Sequence, residues 1–309
     1  MNTPHPSESP LNLGLNYLSG IGIPQDHAKA VECFRLAAEQ GFDVAQYQLA
    51  WCYQSGIGLR RNGTQAAHWY TLAAEQGFAP AQYQLARCYS LGQGVKENAV
   101  SAARWYRAAA EQGHAEAQFE LGRCYDWGAG TERDAAKALA YYTLAAQQGL
   151  LRAQLHLGTH PRLFKDTAEA AAAAEHWLTT AAAQGDARAL YELGCFYRSG
   201  KLIPKDAEKA IPYFRQAAEQ GDAAAQCMLA ECYRSGDGIN ADVPLAIHWY
   251  TLAADNGDAE AQYQLGLCYM NGDGVWPDLE KAAEYLSLAA DQGIEEAAKA
   301  LEWVRGDED

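Results

Sequence analysis

Two histidines have a spacing that could support metal chemistry. His156 and His160 are four residues apart, so they share one face of a predicted helix, and such a pair can contribute two ligands to zinc. The sequence offers no third ligand nearby and contains no HExxH motif. Because two histidines are only part of a ligand set, the sequence predicts surface or half-buried histidines here and no metal site.

The eight cysteines could instead form disulfides, and their spacing argues against this. Five of them recur at the same position of a 36-residue pattern: Cys52, Cys88, Cys124, Cys232 and Cys268. Equivalent atoms on stacked helices lie roughly 8–10 Å apart, whereas a disulfide needs Cα atoms within about 7 Å. The pattern therefore predicts small, buried, reduced thiols and favours a reducing compartment.

Signatures of catalysis and of cofactor binding are missing from the sequence. It contains no GxSxG, SxxK, GxxxxGK[ST] or CxxC motif. Its Gly-x-Gly pairs connect one helical pattern to the next, so they are helix stops and not dinucleotide-binding loops. We predict a protein without enzymatic activity, cofactor or metal. A hydrolase acting on a cell-wall or β-lactam substrate is the weakest alternative.

Charge and hydropathy exclude two classes of partner. The chain has 24 basic and 39 acidic residues, a net charge of −15, which disfavours binding to nucleic acid and to anionic membranes. No apolar run is long enough to span a bilayer.

The first ten residues, MNTPHPSESP, lack the pattern of a signal peptide and are predicted to be disordered. We expect a cytoplasmic protein (periplasmic or secreted if a signal peptide was removed), and the charge is compatible with a basic partner.

The sequence repeats every 36 residues. In each repeat Ala45, Leu49 and Tyr53 or their equivalents have the spacing of one helix face, and we name this element helix A. Position 50 and its equivalents are only Ala or Gly, so a neighbouring helix must approach closely there. The glycines that keep this register are Gly41, Gly77, Gly113, Gly149, Gly185, Gly221, Gly257 and Gly293.

A second helical pattern, helix B, follows a glycine turn such as SGIG at 55–58. Aspartates at positions such as Asp26 and Asp134 are predicted to cap its start. One helix pair cannot bury its own apolar face, so the pairs must stack. We therefore predict an all-α fold: a single α-solenoid over residues 11–305, built from about eight antiparallel helix pairs. A capping helix over 295–305 and an acidic tail over 306–309 complete it.

The fifth repeat departs from this pattern. Pro161 replaces the tyrosine, and LFKD at 163–166 replaces the glycine turn. Because proline cannot continue a helix interior, helix A is predicted to end early there. The irregularity is interpreted as a divergent repeat, or alternatively as a bend or groove that shapes a partner site.

The segment AQYQLGLCYMNGDGVWPDLEKAAEYLSLAADQG, residues 261–293, resembles a Sel-one-like repeat, a relative of the tetratricopeptide repeat. The likeness recurs eight times, from residue 11 to about 305. It implies a right-handed α-solenoid superhelix and a role as an adaptor that binds proteins. Some cysteine-rich bacterial members are linked to β-lactam binding, but this chain lacks their two cysteines per repeat.

The resemblance implies that helix A lines the concave face, where solenoids usually bind partners. We call the equivalent positions of successive repeats a column. Two columns lie off the Ala-Leu-Tyr face of helix A. One is aromatic, and the other varies between Trp, Arg, Thr, Glu and Leu, as expected of recognition positions. Alternatively, the aromatic residues pack between neighbouring A helices. The predicted partner-binding residues are Tyr47, Trp51, Tyr83, Arg87, Phe119, Arg123, Tyr191 and Tyr263.

These observations favour a non-enzymatic scaffold that binds another protein or peptide on its concave face. An extended peptide or loop carrying carboxylates would suit Arg87 and Arg123. The alternative within the binding class is an immunity or inhibitor protein. A net charge of −15 would suit a basic, toxin-like effector.

Overall fold

The computed structural model describes residues 9–306. Most of the N-terminal segment predicted to be disordered, and most of the predicted acidic tail, lie outside this range. The described residues form seventeen α-helices and no strand. The helices are α1 Pro10–Ser19, α2 His27–Glu39, α3 Asp43–Ser55, α4 Gly63–Glu75, α5 Ala79–Leu91, α6 Ala99–Glu111, α7 Ala115–Trp127, α8 Ala135–Gln147, α9 Leu151–Thr159, α10 Thr167–Ala182, α11 Ala187–Ser199, α12 Ala207–Glu219, α13 Ala223–Ser235, α14 Val243–Asp255, α15 Ala259–Asn271, α16 Leu279–Asp291 and α17 Glu295–Arg305.

Odd-numbered helices are the predicted A helices and even-numbered ones are the B helices. Within residues 10–147 and within residues 167–305, successive helices pack against each other as antiparallel pairs, so the fold is an α-solenoid, as predicted. α17 follows the eighth pair as one further A helix. No helix within residues 9–306 combines the length and apolar character needed to cross a membrane.

Polar caps define where the helices begin. The carboxylate of Asp134 accepts the backbone N–H of Lys137 at 3.0 Å, which satisfies one donor of the first turn of α8. The backbone N–H of Asp134 also donates to the carbonyl of Tyr125 at 2.9 Å, tying the end of α7 to the start of α8. The predicted aspartate caps of both helix types are confirmed: Asp26, Asp134, Asp206 and Asp278 on B helices, and Asp186, Asp222 and Asp258 on A helices.

Glycines close the turns between helices A and B. Gly56 ends α3 with φ of +78°, and Gly58 follows with φ of +72°, a backbone region that glycine enters without strain. A Cβ on Gly58 would also collide with the carbonyl of His27 in the preceding repeat. The turn glycines therefore permit both the chain reversal and the close stacking of repeats.

The core lies between the helices, and its columns follow the prediction. The leucines equivalent to Leu49 are at most 1% exposed in the second to eighth repeats. Position 50 and its equivalents face the large side chain of helix B: a Cβ added to Gly194 would lie 2.6 Å from Phe214. The Ala-or-Gly restriction thus arises from a ring or leucine of helix B that packs directly on the A-helix backbone.

A buried glutamine ladder also connects the repeats, and the sequence patterns did not reveal it. Gln82 on α5 donates through Nε2 to the carbonyl of Ala74 at 3.1 Å. Its Oε1 accepts Nε2 of Gln112 at 2.8 Å. Each rung therefore joins the ends of two successive B helices. The same pair of bonds is present at Gln46, Gln118 and Gln262, and at Gln226 the second donor is Nδ2 of Asn256. The sixth repeat has Leu190 at this position.

The fold divides into two compact units at a boundary inside α9. Unit 1 extends to Ala153 and contains α1 to α8. Unit 2 begins at Gln154 and contains α10 to α17. Each unit is itself a stack of helix pairs. A single continuous solenoid stays a prediction.

The fifth repeat is irregular in the predicted way. α9 has 9 residues, whereas the other internal A helices have 13, and a 3₁₀ turn at Pro161–Leu163 follows it. α10 is longer than the other B helices, with 16 residues. The early end of helix A at Pro161 is confirmed. Leu163 is only 6% exposed and so helps to cover the shortened segment.

Candidate protein-binding surface

The A helices expose one common face between their caps and turns. It is formed by residues 47, 48, 51 and 54 and their equivalents, which lie off the buried Ala-Leu stripe. We call this surface the A face and treat it separately in each unit. Most of its side chains are half-buried, because neighbouring A helices lie side by side.

In unit 1 the predicted aromatic column packs on helix B and on the aromatic residue that precedes the next A helix. The ring of Tyr47 lies 5.7 Å from that of Tyr70 and 5.5 Å from that of Phe78. Tyr83 stacks on His114 with ring centres 4.8 Å apart. Phe119 is only 7% exposed. Packing thus explains much of this column, and Tyr47 and Tyr83, which are half-buried, keep part of their surface accessible.

The variable column of unit 1 carries Trp51, Arg87 and Arg123. Trp51 is half-buried and packs against the core cluster of Leu49. Arg87 is half-buried and donates to Oε1 of Gln84 at 3.4 Å. Arg123 is exposed over 54% of its side chain and pairs with Glu120 at 3.1 Å.

Arg152 is a third cation near these residues that sequence reasoning missed. It lies near the start of α9, pairs with Glu120 at 3.1 Å and places its guanidinium 4.5 Å from the centre of the Phe119 ring. Arg123 and Arg152 therefore share one carboxylate, and Arg87 is in no ion pair within residues 9–306. Together with Arg152, the A face of unit 1 therefore carries three guanidinium groups against two carboxylates, those of Glu120 and the buried Asp126.

In unit 2 the aromatic column is again half-buried. Tyr191 lies 6.1 Å from Phe214, with the guanidinium of Arg188 5.1 Å from its ring centre. Tyr263 packs against the cluster that contains Leu286. The eight predicted residues are thus divided: six lie on α3, α5 and α7 of unit 1, and Tyr191 and Tyr263 lie on α11 and α15 of unit 2.

Unit 2 contains a cleft of about 390 Å³ where α13, α14 and α15 meet. Its apolar wall includes Val243, Ile247, Tyr250 and Leu267. A second, shallower depression adjoins it and shares Arg234, Tyr250 and Gln264 with it. The only sequence signal for the cleft was Leu267, an apolar residue in the variable column. We call the cleft of about 390 Å³ the α14–α15 cleft.

Charged side chains around the α14–α15 cleft form a compact network. Arg234 donates to both carboxylate oxygens of Glu231 at 2.9 Å, and the hydroxyl of Tyr250 donates to Glu231 at 2.8 Å. Burial is the main cause that raises the pKa of Tyr250, and the hydrogen bond to Glu231 adds to it. The phenol therefore stays protonated and serves as a donor at neutral pH.

The structure shows the surroundings of the cysteines and of the two histidines singled out in the sequence. All eight cysteines are free thiols. Burial raises the pKa of the five column cysteines to about 11, which keeps them protonated and unreactive near neutral pH. His156 and His160 are half-buried, with ring centres 4.0 Å apart. No group of three or more metal-ligating side chains occurs within the described residues.

The repeat pattern matches a family model along nearly the whole chain. Eight segments match the Sel1 repeat: residues 8–42, 43–78, 79–114, 115–150, 153–186, 187–222, 223–258 and 259–294. The chain belongs to the Sel1 repeat family. Each matched segment covers one helix A, a turn and one helix B as described above. The fifth match, residues 153–186, covers the irregular pair. No curated protein matches the sequence significantly.

Two solved structures share the Sel1 repeat fold over most of this chain. One is a protective antigen present in uropathogenic Escherichia coli strains that displays an SLR fold; it is 31% identical, with a TM-score of 0.71 over 96% of this chain and 71% of that chain. The other is a Sel1 repeat protein from Oxalobacter formigenes, which is 29% identical, with a TM-score of 0.74 over 96% and 85%.

An immunity protein from Pseudomonas aeruginosa is a more remote match. It is 23% identical, with a TM-score of 0.41 over 69% of this chain and 81% of that chain. A likeness at this level carries no argument about the function of the present protein.

Proposed function

We propose that this Sel1 repeat protein is a non-catalytic scaffold that binds another protein or peptide through its A faces. The observation that carries the proposal is the A face of unit 1, where Arg87, Arg123 and Arg152 have Glu120 as their single ion-pair partner. In a chain with a net charge of −15, this local surplus of guanidinium groups suits a segment that carries carboxylates.

A non-catalytic role is supported by the structural use of the recurring polar side chains. The aspartates and asparagines before B helices cap them, as Asn62 caps α4. The glutamines form the buried ladder, as Gln82 does. These groups are engaged in holding the stack together, and the A face retains the variable side chains. Hydrolysis of a chromogenic β-lactam by the purified protein would contradict this part of the proposal.

The binding surface is tested by affinity capture from the native organism with two charge-matched variants. Arg87→Glu with Arg123→Glu reverses the surplus on the A face of unit 1. Arg60→Glu with Arg61→Glu makes the same change in net charge in the exposed loop before α4. We expect the first variant to retain about a tenth or less of the captured partner and the second to retain all of it. Equal capture by both variants would refute the assignment to the A face.

A second candidate function is inhibition of a basic effector, which the net charge of −15 favours. The captured partner distinguishes the two roles. Inhibition requires a partner that slows cell growth when expressed alone and loses this effect when the present protein is co-expressed. A partner without such toxicity assigns the protein to the adaptor role.

We further propose a reducing, cytoplasmic location, because all eight cysteines are free and the column cysteines are enclosed by the core. Folding raises the pKa of these thiols from 9.0 to about 11. The unfolded chain would therefore lose these protons first, and stability should decline as pH rises from about 9 towards 11. Thiol titration of denatured, unreduced protein purified from its own cells should count eight; a count of four or fewer would contradict the proposed location.

A further inference from the structure

The α14–α15 cleft has the form of a site for one large apolar side chain. Its volume of about 390 Å³ lies within the range of ligand pockets, roughly 300–1,000 Å³. Ile247 and Leu267 stand on opposite helices of the cleft, and the buried Tyr250 contributes to its lining. Burial of a large apolar side chain in such a place stabilises the bound segment.

The cleft arises from side chains that differ between the repeats. The residues equivalent to Leu267 are Arg87 and Arg123 in the third and fourth repeats, which are longer and charged. On helix B, Val243 and Ile247 stand where the second repeat has Gly63 and Ala67. The seventh and eighth repeats therefore offer an apolar wall at a place where other repeats present a guanidinium group.

The rim of the cleft is acidic. Asp273 lines the opening. Glu260 lines the adjoining depression, where it accepts a hydrogen bond from Gln264 at 2.7 Å. Neither carboxylate belongs to an ion pair within residues 9–306. The nearby cations are already engaged, since Arg234 binds Glu231 and both Arg198 and Lys205 bind Asp237. One carboxylate at the apolar opening and one in the adjoining depression are thus left without a cation.

We propose that the α14–α15 cleft is a docking site for a partner segment in which an apolar side chain is flanked by lysine or arginine. The apolar side chain enters between Ile247 and Leu267, and the flanking cations pair with Glu260 and Asp273. The exposed amide of Asn271 also lines the cleft, where it can bond to the main chain of the segment. This inference rests on the proposed function and adds to it a second site, of opposite charge preference to the A face of unit 1.

The test is a selection of random twelve-residue peptides displayed on phage against the full-length protein, with removal of peptides that bind Leu267→Arg. Arginine occupies this column naturally in two repeats, so the variant is expected to keep its helical circular dichroism while it fills the cleft. Selected peptides should share an apolar residue flanked by Lys or Arg. Replacing that apolar residue by Ser, or the flanking cations by Glu, should weaken binding about tenfold in fluorescence anisotropy.

Two further variants keep the test decisive. Glu260→Lys with Asp273→Lys leaves the cleft open but reverses its rim, and it should weaken the selected peptide by about tenfold even if Leu267→Arg fails to fold. Glu75→Lys with Glu111→Lys makes the same change in net charge at exposed residues of unit 1 outside the A face and should leave the binding of that peptide unchanged.

Enrichment of acidic motifs, absence of enrichment, or full binding to the reversed rim would overturn the proposal. If partner capture still depends on Arg87 and Arg123, only the second site falls. Loss of that dependence as well would remove the proposed function itself.

Discussion

The same column of helix A carries Trp51, Arg87 and Arg123 in unit 1 but Cys195, Glu231 and Leu267 in unit 2. In unit 1 these side chains extend over the A face and leave a surplus of guanidinium groups around Glu120. In unit 2 the α14–α15 cleft opens beside Leu267. The buried columns are nearly constant across both units. The comparison shows that one set of buried columns can present different surface chemistry, because the buried columns are enclosed and the A face is accessible.

The first prediction tests whether the buried columns are equivalent in the two units. Leu121 in unit 1 and Leu193 in unit 2 are both 0% exposed. Truncation of either to alanine should therefore destabilise the protein by about 2–5 kcal/mol, by comparable amounts. The measurement is urea denaturation followed by circular dichroism. A silent variant would show that the leucine of that unit is not enclosed as described.

The second prediction concerns the glutamine ladder, in which the units differ. Gln82→Leu leaves the Ala74 carbonyl and the Gln112 amide without their buried partner, so it should cost about 1–3 kcal/mol. Leu190→Gln in unit 2 introduces an amide at the equivalent position of the sixth repeat and should cost less. A harmless Gln82→Leu variant, measured by the same urea denaturation, would mean that the ladder contributes nothing to stability.

The third prediction has the smallest effect and separates binding from folding. Arg87→Glu with Arg123→Glu should change stability by less than about 1 kcal/mol, because exposed ion pairs contribute little. Glu120 also keeps Arg152 as its partner. Thermal melting followed by circular dichroism provides the measurement. A large loss of stability would show that the arginines hold the stack together, and any loss of binding would then have a structural cause.

The buried columns could be predicted from the sequence because burial limits the residue types that fit at each position. Gly, Ala and Leu recur in a 36-residue register, and Pro161 marks the one early helix end. The glutamine ladder was missed because glutamine in the EQG stretch resembles an ordinary surface residue until the neighbouring repeat is placed beside it. Arg152 was missed for a related reason. It lies at the start of α9, outside the column that the patterns singled out, and reaches Glu120 on the preceding A helix.

The binding site was less predictable than the buried columns. An aromatic column at helical spacing is compatible with a binding surface and with packing, and Phe119 turned out to be buried. The α14–α15 cleft depends on residues from α14 and α15 that only the stack brings together. Leu267 alone pointed to it, as an apolar residue in a variable column.

The central claim is that partners contact the A face, and site-specific photo-cross-linking tests it most directly. The photoreactive amino acid benzoylphenylalanine would replace either Arg123 on α7 or Leu144 on α8. These residues belong to the same repeat and are both exposed, by 54% of the side chain and by 44%, respectively. The account predicts that the captured partner is cross-linked from position 123 and not from position 144. Cross-linking from position 144 with no product from position 123 would contradict it.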